Sequence, residues 1–251
     1  MSANNLYKYA LSLGDDALII GQRLSEWAYK APFLEEDIAI SNFSLDFFGR
    51  ANLLLEYAAS IKASGITADD LAFKRNEREF SNHLIYEQPN GNFAKTIVRQ
   101  FLIDTYNELF FHELANSNDN QLSAIAQKSI KEIIYHLRHS SKWVLRLGDG
   151  TAESHKKAQF AIDELWMFTG ELFQMNQNEL EMVDKGIGVD CSNLKANWME
   201  NITKIINMAT LSIPGDEYMQ SGGREGIHTE HLGHMLSDMQ YLQRAYPGAE
   251  W

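Results

Sequence analysis

Four prolines stand in this chain of 251 residues, at positions 32, 89, 214 and 247, and none interrupts the run from Gly91 to Ser212. Proline inside a helix removes a hydrogen bond and clashes with the preceding turn, so a long stretch without it permits long helices. The residues fall at helical rather than strand spacing. Over 34–62 the series is Ile38, Asn42, Leu45, Gly49, Leu53 and Glu56. Over 93–115 it is Ile97, Phe101, Asp104, Glu108 and Phe111. Over 121–147 it is Ala126, Ile130, Ile133, Leu137, Ser140, Val144 and Leu147. Over 153–176 it is Phe160, Leu165, Phe168, Leu172 and Met175. Two further helices are expected at 15–29, before Pro32, and at 192–210, before Pro214.

Punctuation agrees with that division. Gly148-Asp149-Gly150-Thr151 can stop one helix and cap the next, and Asn116-Ser117-Asn118-Asp119-Asn120 reads as a polar loop. Residues 63–92 are less regular and end in the turn signal Gln88-Pro89-Asn90-Gly91-Asn92. The resulting expectation is all-α: a ferritin-like four-helix bundle with additional helices and one long crossover between the second and third core helices. It is read as one domain over 1–251, with 212–251 as a C-terminal tail packing on the bundle.

Composition narrows the function. The formal net charge is −12, and the densest basic pairs, Lys74-Arg75 and Lys156-Lys157, are short and flanked by acids. Such a surface repels nucleic acid, so none is expected as a partner. One cysteine, Cys191, excludes an intrachain disulfide and fits a reducing compartment. The start lacks a basic stretch before an apolar run, and no segment reaches about 18 uninterrupted apolar residues. A cytoplasmic protein without a membrane span is therefore expected.

The segment Lys131-Glu132-Ile133-Ile134-Tyr135-His136 looks like half of a carboxylate-bridged di-iron site. Such a site takes one carboxylate from each of two helices and a Glu-x-x-His pair from each of the other two. Three residues along a helix is about 300°, so both side chains of that pair face one way. Here the second core helix offers Asp46, then Gly49 and Arg50. The third offers Asp104 and Glu108, and the fourth Glu132 and His136. The position three before His136 is Ile133. Arg50 is a permanent cation and would compete with iron for the same carboxylates. The count argues against an iron pair in this chain, so no metal and no catalytic residue is expected. Instead Asp46, Arg50, Asp104, Glu132 and His136 are expected to form a buried polar network, with Arg50 and Lys131 offsetting the carboxylates.

Other chemistries are weaker. Glu225-Gly226-Ile227-His228 matches Glu-x-x-His within a glycine-rich stretch unsuited to a helix. His228, His231 and His234 lack a cysteine companion and read as packing residues rather than zinc ligands. Glu132, His136 and His139 share a face suited to acid–base work, although a polar row is the simpler reading. Cys191 has no activating motif, and Trp166, Met167, Phe168 and Phe173 read as core or interface. No phosphate loop, nucleophile elbow or dinucleotide fingerprint occurs.

These residues also carry a resemblance. Leu13-Gly14-Asp15, Arg23-Leu24-Ser25-Glu26-Trp27, Leu45-Asp46 with Gly49, Glu87 through Ala94, Lys131-Glu132 and Tyr135 through Arg138 contribute to it. The most specific part is the tail: Gly226 through Gly233, Met239 through Arg244, Pro247-Gly248 and Trp251. Over its whole length the chain resembles the C-subunit family of the ring 1,2-phenylacetyl-CoA epoxidase, a multicomponent bacterial monooxygenase of phenylacetate catabolism. The resemblance implies a ferritin-like bundle that pairs with a related A subunit, which carries the di-iron centre and the phenylacetyl-CoA site. Other subunits of the complex and a reductase are implied as partners, and a homodimer is possible for the chain alone. The A-subunit motif reads Asp-Glu-x-Gly-His on one helix and Lys-Glu-Glu-x-x-His on another. Asp46 and Gly49 match the first, with Phe47 where the ligand glutamate would be and Arg50 where the histidine would be. Lys131, Glu132 and His136 match the second, with Ile133 where the ligand glutamate would be. The resemblance therefore implies a structural, non-catalytic subunit. The alternative is a stand-alone metalloenzyme with an atypical site of Asp104, Glu132 and His136.

Overall fold

A computed structural model of the chain describes residues 2–215 and 218–249, so Trp251 of the distinctive tail lies outside the described residues. Among these the chain is all-helical, without a strand. It divides into two compact units, 1–88 with 222–251, and 89–221. No helix is long and apolar enough to cross a membrane among the described residues.

The first unit is built on two long helices, α1 (Ser2–Ser25) and α2 (Leu34–Lys62). Helix α1 begins much earlier than the expected residue 15. From Tyr9 to Gly21 it is buried all round, its polar face of Ser12, Asp15 and Asp16 included. Glycines let α2 approach: a Cβ on Gly14 would lie 2.8 Å from Leu55 Cδ2, and one on Gly21 3.0 Å from Phe48 Cδ1. Ser44 Oγ donates to the Gly21 carbonyl at 2.8 Å, tying the two helices where a side chain is missing.

Helix α2 starts with Glu35, Glu36 and Asp37, which favour its positive N-terminal end. It ends where Ala63 turns left-handed, at φ 48°. Its buried face is Ile40, Phe43, Phe47, Arg50, Ala51, Leu54 and Ala58. The expected stripe is thus out of phase: Ile38 and Leu45 are 54% and 66% exposed. Both series have helical spacing, and the period alone does not say which faces inward. The unit continues through α3 (Ala68–Phe73), α4 (Leu84–Glu87), α10 (Glu230–Met239) and α11 (Tyr241–Ala245).

The second unit centres on α5 (Phe93–Leu114), almost wholly buried from Ala94 to Asn107. It packs with α6 (Asn120–Gly148), α7 (Ala152–Trp166) and α9 (Lys195–Met208); α8 (Gln177–Asp184) lies between the last two in sequence. Asp119 caps α6 by accepting from Gln121 N and Leu122 N, at 3.1 and 2.9 Å. The buried stripe of α6 is Leu122, Ala126, Ser129, Ile133, His136, Ser140 and Val144, close to the expected one. Helix α6 stops where Gly148 meets the end of α9: a Cβ there would lie 2.2 Å from the Ala209 carbonyl oxygen. Thr151 then caps α7 in a reciprocal box with Ser154. Helix α7 ends at Trp166 rather than near 176. A turn and a 3-10 segment, Gly170–Phe173, follow, with Gly170 held against Met219. Phe160, placed in the expected stripe, is 59% exposed, and Ala158, Ala161, Ile162 and Leu165 face inward instead.

Candidate functional site

Phe47 and Arg50 sit one turn apart on the buried face of α2, at 1% and 3% exposure. The Arg50 guanidinium carbon lies 4.9 Å from the centroid of the Phe47 ring. A cation over a ring face in a dry setting is attracted by the ring's quadrupole. Asp46, the neighbour in sequence, is only half-buried, and Gly49 is exposed with open space where a Cβ would stand.

In the second unit the polar centre is Asp104, on α5 and buried. Gln100 Nε2 donates to its Oδ1 at 2.6 Å, and Ser140 Oγ to its Oδ2 at 2.8 Å. Ser140 Oγ also lies 3.0 Å from the His136 carbonyl oxygen, so α5 is joined to α6 at the level of His136. The His136 side chain is fully buried, and Ile133, one turn earlier on the same face, is 1% exposed. Glu132 is half-buried, and Lys131 is exposed, which corrects its expected role in offsetting buried carboxylates.

These residues do not fit an iron pair. Positions 47 and 133 carry hydrocarbon, and position 50 carries a cation. Among the described residues no group of three or more His, Cys, Asp or Glu is arranged to hold a metal ion. Of the five expected network members, Asp46 and Arg50 belong to one unit, and Asp104, Glu132 and His136 to the other.

A larger ionic cluster lies in the first unit, and sequence spacing gave no sign of it. Asp15 is fully buried and accepts from both Arg75 terminal nitrogens and from Ser81 N at 3.0 Å. Arg75 in turn lies 4.0 Å above the Phe80 ring. Asp16 takes a two-pronged contact from Arg224, at 2.7 and 3.1 Å, and accepts from His83 N at 2.8 Å. Burial works against the Asp16 charge, but Arg224 and His83 outweigh it and hold the carboxyl below its ordinary value.

Glu87, also fully buried, accepts from Asn82 Nδ2, from Thr229 N and Oγ1, and from His228 Nδ1, all within 2.6–2.8 Å. The other ring nitrogen of His228 faces the Phe80 carbonyl oxygen at 2.9 Å. Two acceptors on two nitrogens call for the doubly protonated ring. Burial opposes that charge, yet Glu87 and the Phe80 carbonyl win and raise the pKa of His228. Arg23 donates to the carbonyls of Glu87 and His231, fastening the tail to α1.

Of the tail histidines, His228 holds structure through its ring. Both His228 nitrogens are engaged, His231 uses its carbonyl, and His234 is exposed. Glu225 is exposed in a 3-10 turn and does not share a helix face with His228. Cys191 is buried, with Tyr106 Oη 3.2 Å from its sulfur. An apolar recess of about 370 Å³ in the first unit is lined by residues including Leu18, Phe48, Leu55 and Phe73, with Asp69 the one titratable group in its lining. None of these places pairs an acid with a base over a cavity.

Two comparisons bear on kinship. The phenylacetic acid catabolic protein family matches residues 1–251. The C subunit of the 1,2-phenylacetyl-CoA epoxidase of Escherichia coli (strain K12) is 49% identical over 248 residues, covering 99% of this chain and 100% of the relative. The cluster residues Asp15, Arg23, Glu87 and His228 all lie in the stretches that carried the resemblance, and His228 ties the tail into this buried ionic lock. The chain belongs to the phenylacetic acid catabolic protein family.

Proposed function

We propose that this chain is a non-catalytic, structural component of a phenylacetyl-CoA epoxidase complex in phenylacetate breakdown. It would pair with the di-iron catalytic subunit and work alongside the other subunits and a reductase. The observation that carries the reading is the buried Phe47–Arg50 stack with buried Ile133. Hydrocarbon and a cation occupy the positions where the resemblance places two ligand glutamates and a ligand histidine. A ferritin-like four-helix bundle is part of this reading; α1 and α2 in one unit and α5 and α6 in the other supply the four long helices it needs.

Co-purification with the catalytic subunit, with iron measured on the complex and on each chain alone, tests the proposal. The expected result is association, with iron following the catalytic subunit. Two iron atoms per copy of this chain purified alone would overturn it.

A further inference from the structure

Helix α6 shows solvent a face unlike the rest of the chain. Lys128, Lys131, Tyr135, Arg138, Lys142 and Arg146 all reach the surface. At 100° per residue they fall within an arc of about 80° and extend about 27 Å along the axis. The helix carries five Lys and Arg residues and one acid, Glu132, in a chain of net charge −12. A reading of adjacent basic pairs misses this stripe, because its members are three and four residues apart.

Several of the chain's other cations are paired with acids. Lys74, Lys95 and Lys157 meet Asp70, Glu164 and Glu153, and Arg75 and Arg224 are neutralised by Asp15 and Asp16. On the α6 stripe no ion pair forms among the described residues; Arg146 merely stacks on Trp143, 5.2 Å from its ring. Like charges at i,i+3 and i,i+4, such as Lys128 with Lys131 and Arg138 with Lys142, disfavour the helix that bears them. Glu132, the one acid of α6, stands four residues from Lys128, just outside the arc, and faces none of the other four cations at that spacing.

We infer that the outer face of α6 is a docking surface for an acidic helix of a partner protein. Charge complementarity supplies the sign. Alternating steps of three and four match the near-parallel packing of a second helix, which presents its own residues at the same repeat. Exposed Ile134 and Tyr135, at 49% and 55%, stand beside the cations and supply apolar contact of the kind found at protein interfaces.

The test uses the full chain and a stapled helical peptide with glutamate at successive third and fourth positions, followed by fluorescence anisotropy. Binding is expected at low salt, weakening as salt screens the pairs. The triple variant Lys131→Glu/Arg138→Glu/Lys142→Glu should bind roughly tenfold or more weakly. All three sites reach solvent and glutamate is a good helix former, so circular dichroism should be unchanged. Reversal elsewhere, Lys156→Glu/Lys157→Glu, should leave binding intact. Equal binding by the triple variant would overturn the assignment. So would tighter binding of a short DNA duplex or of phosphatidylglycerol vesicles than of the peptide.

Discussion

Arg50 lies over the ring of Phe47, guanidinium carbon to ring centroid 4.9 Å, with both side chains withdrawn from solvent. The two positions are one helical turn apart, the spacing that a ligand carboxylate and histidine need on a metal-binding helix. The stack sets a buried cation against hydrocarbon at two positions where the resemblance implies metal ligands in the related subunit. Truncation to Arg50→Ala removes the stacked group and its buried stem. A loss of about 2–4 kcal/mol in urea unfolding is expected. An unchanged midpoint would show that the arginine contributes nothing to the fold.

Ser140 gives a sharper comparison. Its hydroxyl reaches Asp104 Oδ2 at 2.8 Å, whereas Ser129, three turns earlier on the same buried stripe, reaches only the Ile125 carbonyl of its own helix. Replacing Ser140 by Ala withdraws a donor from a buried carboxylate and should cost about 1–3 kcal/mol. Ser129→Ala removes a local bond that the helix does not need and should stay within about 0.5 kcal/mol. Equal losses in the two variants would mean that the Asp104 contact carries no particular weight.

How far sequence reaches can be read from α6 and α2. The inner face of α6 is legible: Ile133, Ser140 and Val144 repeat at helical spacing after the polar loop that ends at Asn120. On α2 the same spacing identifies the helix but the wrong face. Ile38 and Leu45 are as regularly spaced as Phe43 and Phe47, and only packing against α1 decides between them. The ionic lock is illegible for another reason. Asp16 and Arg224 are 208 residues apart, and no local period links such pairs. Phe47, Arg50 and Ile133, by contrast, can be set residue by residue against the motif that the resemblance supplies, without any knowledge of the packing.

The lock should give stability a definite pH dependence. The pKa of His228 is raised above its ordinary 6.5 by Glu87 and the Phe80 carbonyl, against burial. Its contribution is therefore complete below about pH 6.5 and is lost as pH rises through the raised value. Asp16 works at the other end. Its pKa is held below 3.8, so its contribution is present above that and is lost as pH falls through the lowered value. Urea midpoints measured from pH 5.5 to 9 should fall with rising pH in the native chain. His228→Gln should flatten that slope; an equally steep fall in the variant would remove His228 as its source.

Gly49 separates what the chain needs alone from what a partner needs. It lies in the interior of α2, exposed, with nothing within 4 Å of where a Cβ would stand. Glycine in a helix interior is destabilising relative to alanine by roughly 0.5–1 kcal/mol. Gly49→Ala should therefore stabilise the isolated chain by about that amount, read as a rise in the urea midpoint. The contrast is Gly148→Ala, where the new methyl would collide with the Ala209 carbonyl oxygen and should destabilise strongly. If a partner packs closely on the outer face of α2, beside exposed Leu45, the same Gly49→Ala change should weaken association with the catalytic subunit while the chain itself becomes more stable. A gain in stability with unaltered association would assign the glycine to neither role and place the interface elsewhere.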